Sequence, residues 1–137
     1  IEMRGADSGS WDRICALPAF WVGLLYSKKI LDQTFLIIKN WKLEEIIQLN
    51  KDVQRYGLKS KLRGKKIQNI CIEILKLAQK GLSLRNCLNK NKENEEYFLS
   101  TLFEIANSGV TPAEKLINRY INENNNCSNQ IFLDNSY

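Results

Sequence analysis

The chain has no histidine, two prolines and one methionine in 137 residues, and its four cysteines never fall in a Cys-x-x-Cys pair. Cys15, Cys71, Cys87 and Cys127 are scattered singly. With no imidazole and no paired thiols, a zinc site of ordinary ligand spacing cannot be assembled, so no metal ligands are expected here. Most of these cysteines sit in apolar or helical contexts, where a reduced, packed thiol is the expected state and a reducing cytoplasm the expected setting. A long apolar run is also missing. Residues 14–26 form the longest such stretch, which is short of the ~20 residues that cross a bilayer and is interrupted by Pro18. No membrane partner is therefore expected.

What is present suits one domain or a piece of a larger one, since 44% of the residues are hydrophobic and can build a core. The chain opens on Ile1 rather than Met, which reads as a fragment or a processed chain. The net charge of +5 comes largely from lysine, and the second half is rich in Lys, Asn and Ile. Compositional drift of that kind raises the isoelectric point without implying nucleic acid, so charge matters only where it clusters.

Residues 1–7 alternate as a strand does, with Glu2 and Arg4 on one face and Met3 on the other, and Ser8-Gly9-Ser10 ends it. Residues 11–26 permit a helix, with Pro18 opening a second helical segment that should be buried on all sides. Period 3.6 predicts helices over 30–39, with Ile30, Leu31, Thr34, Ile37 and Ile38 inward, and over 43–56, with Leu43, Ile46, Ile47 and Val53 on one stripe. A basic loop at 59–66 follows. The next helix spans 67–80 with Gly81 as its stop, then a loop to residue 94 and a helix over 95–107. Thr111-Pro112-Ala113-Glu114 predicts a helix start: Thr111 caps, Pro112 takes the first position and Glu114 reaches back. This organisation is a strand and turn over 1–10, a helical region over 11–121 and an Asn-rich tail over 122–137.

A carboxylate and a guanidinium two apart on a strand, Glu2 and Arg4, share one space, where the arginine could hold a substrate carboxylate bidentately. A cross-strand ion pair is the plainer use of the same residues. Beyond that pair, Glu2-Met3-Arg4-Gly5-Ala6-Asp7 with Trp11, followed by residues 14–26 (ICALPAFWVGLLY), resembles glutamate-cysteine ligases of the plant and alphaproteobacterial type. Gly57-Leu58-Lys59, Arg63-Gly64, Phe98-Leu99 and Ser108-Gly109-Val110-Thr111-Pro112-Ala113-Glu114-Lys115 extend the resemblance through nearly the whole chain.

The resemblance implies a mostly α piece, one N-terminal strand plus five to six helices, of an α+β catalytic domain like that of glutamine synthetase. It implies a reaction joining the γ-carboxyl of glutamate to the amine of cysteine, with ATP and Mg2+, through γ-glutamyl phosphate, as the first step of glutathione synthesis. Such chemistry needs converging carboxylates for metal and basic groups for the transferring phosphoryl. In the family most of these lie upstream, so the upstream portion of the same enzyme is the expected partner and the isolated chain is expected to be inactive. Arg4 is the expected catalytic and substrate-binding residue, with Glu2 orienting it or lying near metal. Trp11 and Tyr26 are candidate substrate contacts, though Trp11 and Asp7 also suit packing and turn capping, and the Tyr26 hydroxyl suits a backbone partner. A bacterial cytoplasm is the expected location, with a plastid as the alternative if a transit peptide precedes the chain.

Two departures from the family pattern stand out. Ser8-Gly9-Ser10-Trp11 replaces a Gly-Gly-Pro-Trp turn, and the Asn-rich tail replaces a tryptophan-containing segment. The rival readings are an inactive structural remnant and a nucleic-acid-binding module built on the basic run of residues 59–66 (KSKLRGKK). That run lacks the interleaved aromatic residues that stack on bases.

Overall fold

The computed structural model describes residue 6 and residues 9–122. The expected strand with Glu2, Arg4 and Asp7, and the tail beyond residue 122, lie outside the described residues. The helices are α1 (Trp11–Leu25), α2 (Lys28–Ile38), α3 (Leu43–Tyr56), α4 (Ile67–Arg85), α5 (Ser100–Ser108) and α6 (Pro112–Asn122). Short 3-10 turns cover Gly57–Lys59 and Glu95–Leu99, and a two-stranded hairpin pairs β1 (Lys61–Leu62) with β2 (Lys65–Lys66). The mostly α expectation is met. No single helix among the described residues is long and apolar enough to cross a membrane.

Helix α4 is the axis, and α1 packs along it. Ala16, Ala19, Gly23 and Leu24 are the buried residues of α1, and Ala78, Gly81 and Leu82 are among those of α4. Small residues on both sides let the backbones approach closely: a Cβ placed on Gly81 would lie 1.7 Å from the Gly23 carbonyl oxygen. Around this crossing, Leu24, Ile30, Leu82 and Leu99 complete the main core. A smaller cluster of Leu62, Ile67 and Ile70, with Trp41, Leu49 and Leu58 against it, lies under the hairpin.

This crossing explains why Gly81 does not stop its helix as expected. It sits inside α4, which runs on to Arg85, buries Leu82 completely and ends at Asn86 in the left-handed region (φ 51°). Burying a leucine contributes roughly 1.5–3 kcal/mol, more than the roughly 1 kcal/mol that a mid-helix glycine costs. Pro18 likewise lies inside one continuous α1 rather than opening a second segment. The proline removes one backbone donor, but Ala16, Ala19 and Gly23 hold the helix against α4 on both sides of it.

The basic run forms a tight hairpin. Arg63 (φ 50°) and Gly64 (φ 79°) take its two turn positions, the positive-φ pair that a two-residue hairpin requires. Arginine pays there in backbone strain, and its side chain explains why it stays. The Arg63 guanidinium donates to both Glu45 carboxylate oxygens, at 2.7 and 2.6 Å, and also to the Asn40 carbonyl. Glu45 accepts in addition from the Lys42 backbone N–H at 2.8 Å, so one carboxylate caps α3 and anchors the hairpin.

The Thr111 capping box forms as read: the Glu114 N–H donates to the Thr111 hydroxyl at 3.2 Å, and the Thr111 N–H to Glu114 at 2.8 Å. The expected helix over 95–107 divides into the 3-10 turn and α5, with the Asn94 side chain accepting from the Glu96 N–H. The predicted stripes on α2 and α3 are present but only partly covered. Ile30 is fully buried, whereas Leu31 and Ile38 are each 41% exposed and Leu43 is 67% exposed.

Candidate functional site at the start of the first helix

Of the residues expected to meet substrate, Trp11 and Tyr26 are described. They flank α1 at opposite ends. With a rise of 1.5 Å per residue, fifteen residues separate them by about 22 Å, so one amino-acid substrate does not touch both.

At the first end, Ser10 stands at the N-cap position of α1, and its hydroxyl accepts from Arg13 Nε at 3.0 Å. Gly9 is buried, and a Cβ there would press on the Arg13 side chain at 3.0 Å. Asp12, in the first turn, is held below the usual carboxylate range by the Ser10 hydroxyl and then by the Thr101 hydroxyl. Trp11 does not pack inward: it is 78% exposed.

At the other end, Tyr26 is 75% exposed. The Arg85 guanidinium carbon lies 5.3 Å from the centre of its ring, a cation–π stack, while Arg85 Nη1 is 3.3 Å from Glu95 Oε2. The second contact is an ion pair without hydrogen-bond alignment, since that oxygen has no hydrogen-bond partner. Arg85 and Glu95 were not anticipated as neighbours of Tyr26. They come from the end of α4 and the following 3-10 turn, and no local pattern links positions so far apart in sequence.

Two further cations are tied into the fold. Lys59 Nζ pairs with Glu114 Oε1 at 2.9 Å, and Arg63 is committed to Glu45. An open groove on α3, about 330 Å³ and lined by Gln48, Lys51, Asp52, Gln54, Arg55 and Tyr56, carries both signs of charge, and Gln48 and Asp52 already bond to each other across it. Among the described residues no three Cys, Asp or Glu side chains come together in a group able to hold a metal ion. The described residues by themselves thus assemble no set of ligands for Mg2+.

Comparison with known proteins decides the family. The profile of glutamate-cysteine ligase family 2 matches residues 1–131, all but the last six positions. The chain belongs to this family. Among similar proteins, the chloroplastic glutamate-cysteine ligase of Medicago truncatula is 42% identical over 120 residues, 88% of this chain and 22% of that protein. The chloroplastic enzymes of Solanum lycopersicum and Arabidopsis thaliana are each 42% identical, over 124 and 123 residues, and cover 88% and 90% of this chain. The chain spans about a fifth of the length of these glutamate-cysteine ligases, 22% in each case.

These relatives overturn the expectation of a bacterial cytoplasm, because all of them are chloroplastic enzymes. Free thiols suggested a reducing cytoplasm, but a reduced thiol does not distinguish cytoplasm from plastid.

Proposed function

We propose that this chain is the carboxy-terminal portion of a plastid glutamate-cysteine ligase and acts only together with the upstream portion of that enzyme. The observation that carries the reading is the family match over residues 1–131, which includes the Glu2-Met3-Arg4-Gly5-Ala6-Asp7 motif. In the complete enzyme the reaction is ATP- and Mg2+-dependent joining of the glutamate γ-carboxyl to the cysteine amine, with Mg2+ offsetting phosphate charge. Arg4 supplies a bidentate donor to a substrate carboxylate or phosphate, and Glu2, two positions away, orients it. Trp11 lies seven residues from Arg4, within about 25 Å even for a fully extended chain, close enough to contribute a substrate contact beside it. Tyr26 belongs to a second surface, with Arg85.

The test is formation of γ-glutamylcysteine from glutamate, cysteine, ATP and Mg2+ by this chain alone and co-expressed with the upstream portion of the Arabidopsis relative. Product only in the co-expressed sample, lost with Arg4→Ala, supports the reading. Silence in both samples, with the chain folded by circular dichroism, leaves an inactive remnant as the answer.

A further inference from the structure

Helix α1 carries a second apolar face that the described residues cover only towards its C-terminal end, where Trp21 and Leu25 pack against the main core. Its buried residues Ala16, Ala19 and Gly23 lie on the side turned to α4. At 100° per residue, Trp11, Ile14, Pro18, Trp21 and Leu25 fall on the opposite side, spaced three, four, three and four residues apart. Trp11 is 78% and Ile14 49% exposed, Pro18 is exposed, and Trp21 and Leu25 are half-buried. Val22 is the next residue into this arc, and no polar side chain falls within it.

A helix at a protein surface normally turns a polar face to water, and one that is apolar all round is normally enclosed. The expectation that the second half of α1 is buried on all sides therefore fails in this chain but identifies what α1 is built for. Trp11, exposed beside Ile14 and of a residue type often found at the centres of tight interfaces, points to a protein surface as the cover.

Two observations select the occupant. The relatives contain several times more polypeptide than this chain represents, since it spans 22% of their length. The stripe also begins at Trp11, the first residue of α1, with the family motif only a few residues before it. A portion joined through that motif is held next to the stripe at high effective concentration.

We propose that the exposed Trp11-Ile14-Pro18 part of this α1 face is the surface on which the upstream portion of the ligase docks. This rests on the reading under Proposed function and adds the location of the contact. The partner surface is apolar, since the stripe offers no charge to match.

The experiment is cysteine footprinting of the full chain. Ile14→Cys and, as control, Leu43→Cys on α3 are labelled with a maleimide and read peptide by peptide, alone and in complex with the co-expressed upstream portion of the Arabidopsis relative. The Ile14→Cys thiol is expected to react about tenfold more slowly, or slower still, in the complex, as burial under a stable cover requires, while Leu43→Cys keeps its rate. Trp11→Cys gives a second probe on the same face if Ile14→Cys lowers the helical signal. A complex that forms with unchanged rates at both α1 probes overturns the docking face and leaves the ligase reading standing. Failure of the unaltered chain to form any complex overturns both. Protection that instead rises with this chain's own concentration assigns the face to a second copy and overturns the proposal.

Discussion

Gly23 and Gly81 meet backbone to backbone: a Cβ on Gly81 would lie 1.7 Å from the Gly23 carbonyl oxygen, and a Cβ on Gly23 would lie 2.3 Å from the Ala78 carbonyl oxygen. Both contacts are with backbone, which cannot swing aside as a flexible side chain can. The distance between α1 and α4 is therefore set by the absence of two side chains.

Gly81→Ala is accordingly expected to destabilise the chain by about 3 kcal/mol, although alanine is the better helix former, because the helices must separate and loosen the packing around Leu82 and Leu99. Chemical denaturation measures this. An unchanged or raised midpoint would show that the two helices do not cross at these glycines.

The same pair shows where sequence reading stopped. Thr111 to Glu114 was legible because a capping box is complete within four residues. Gly81 was not, because a glycine near a helix end can mark a left-handed stop or a close approach, and only the partner helix, far away in sequence, decides which. Arg63-Gly64 went unread as a hairpin turn because arginine is a poor choice at positive φ, and the compensating Glu45 and Asn40 contacts come from elsewhere in the chain. Periodicity found the stripes on α2 and α3 but could not say what covers them. At the candidate site, the motif around Arg4 was legible only as a family pattern, while Arg85 beside Tyr26 had no sequence signal.

Removing the Thr111 hydroxyl takes away the acceptor for the Glu114 N–H at the start of α6. Thr111→Ala is expected to cost about 1 kcal/mol, the usual cost of losing an N-cap. Because α6 has no buried residues, the loss should appear mainly as fraying of that helix. Amide hydrogen exchange over residues 112–122 would rise before exchange in α4 does, and equal acceleration in both helices would contradict a local role for the cap.

Glu45 and Glu114 set an acid limit. Arg63 first, and the Lys42 N–H second, lower the Glu45 carboxyl from 4.5 to about 2. The Thr111 N–H first, and Lys59 second, lower Glu114 from 4.5 to about 2. A folded-state value below the unfolded one means the contribution is fully present above pH 4.5 and is lost as pH falls toward 2. The melting temperature should therefore hold steady from neutral pH down to about 5 and fall below it. In Glu45→Gln that fall should be shallower. An identical acid profile in the variant would mean that the Arg63–Glu45 pair does not form in solution.

The fold predicts a difference in reactivity between two of the thiols. Burial on α4, against Ile67 and Ile70, pushes the Cys71 thiol above its ordinary value, whereas Cys87 stands exposed in the loop after α4. Since the thiolate is the reacting form, Cys87 should be modified first by an aromatic disulfide reagent, with Cys71 slower by about tenfold or more at neutral pH. Peptide-level mass spectrometry separates the two sites. Denaturant should abolish the difference, because it removes the desolvation that raises Cys71 and leaves the two thiols chemically alike. If the difference survived full unfolding, burial would not be its cause, and the packing of α4 against the hairpin cluster would be misplaced.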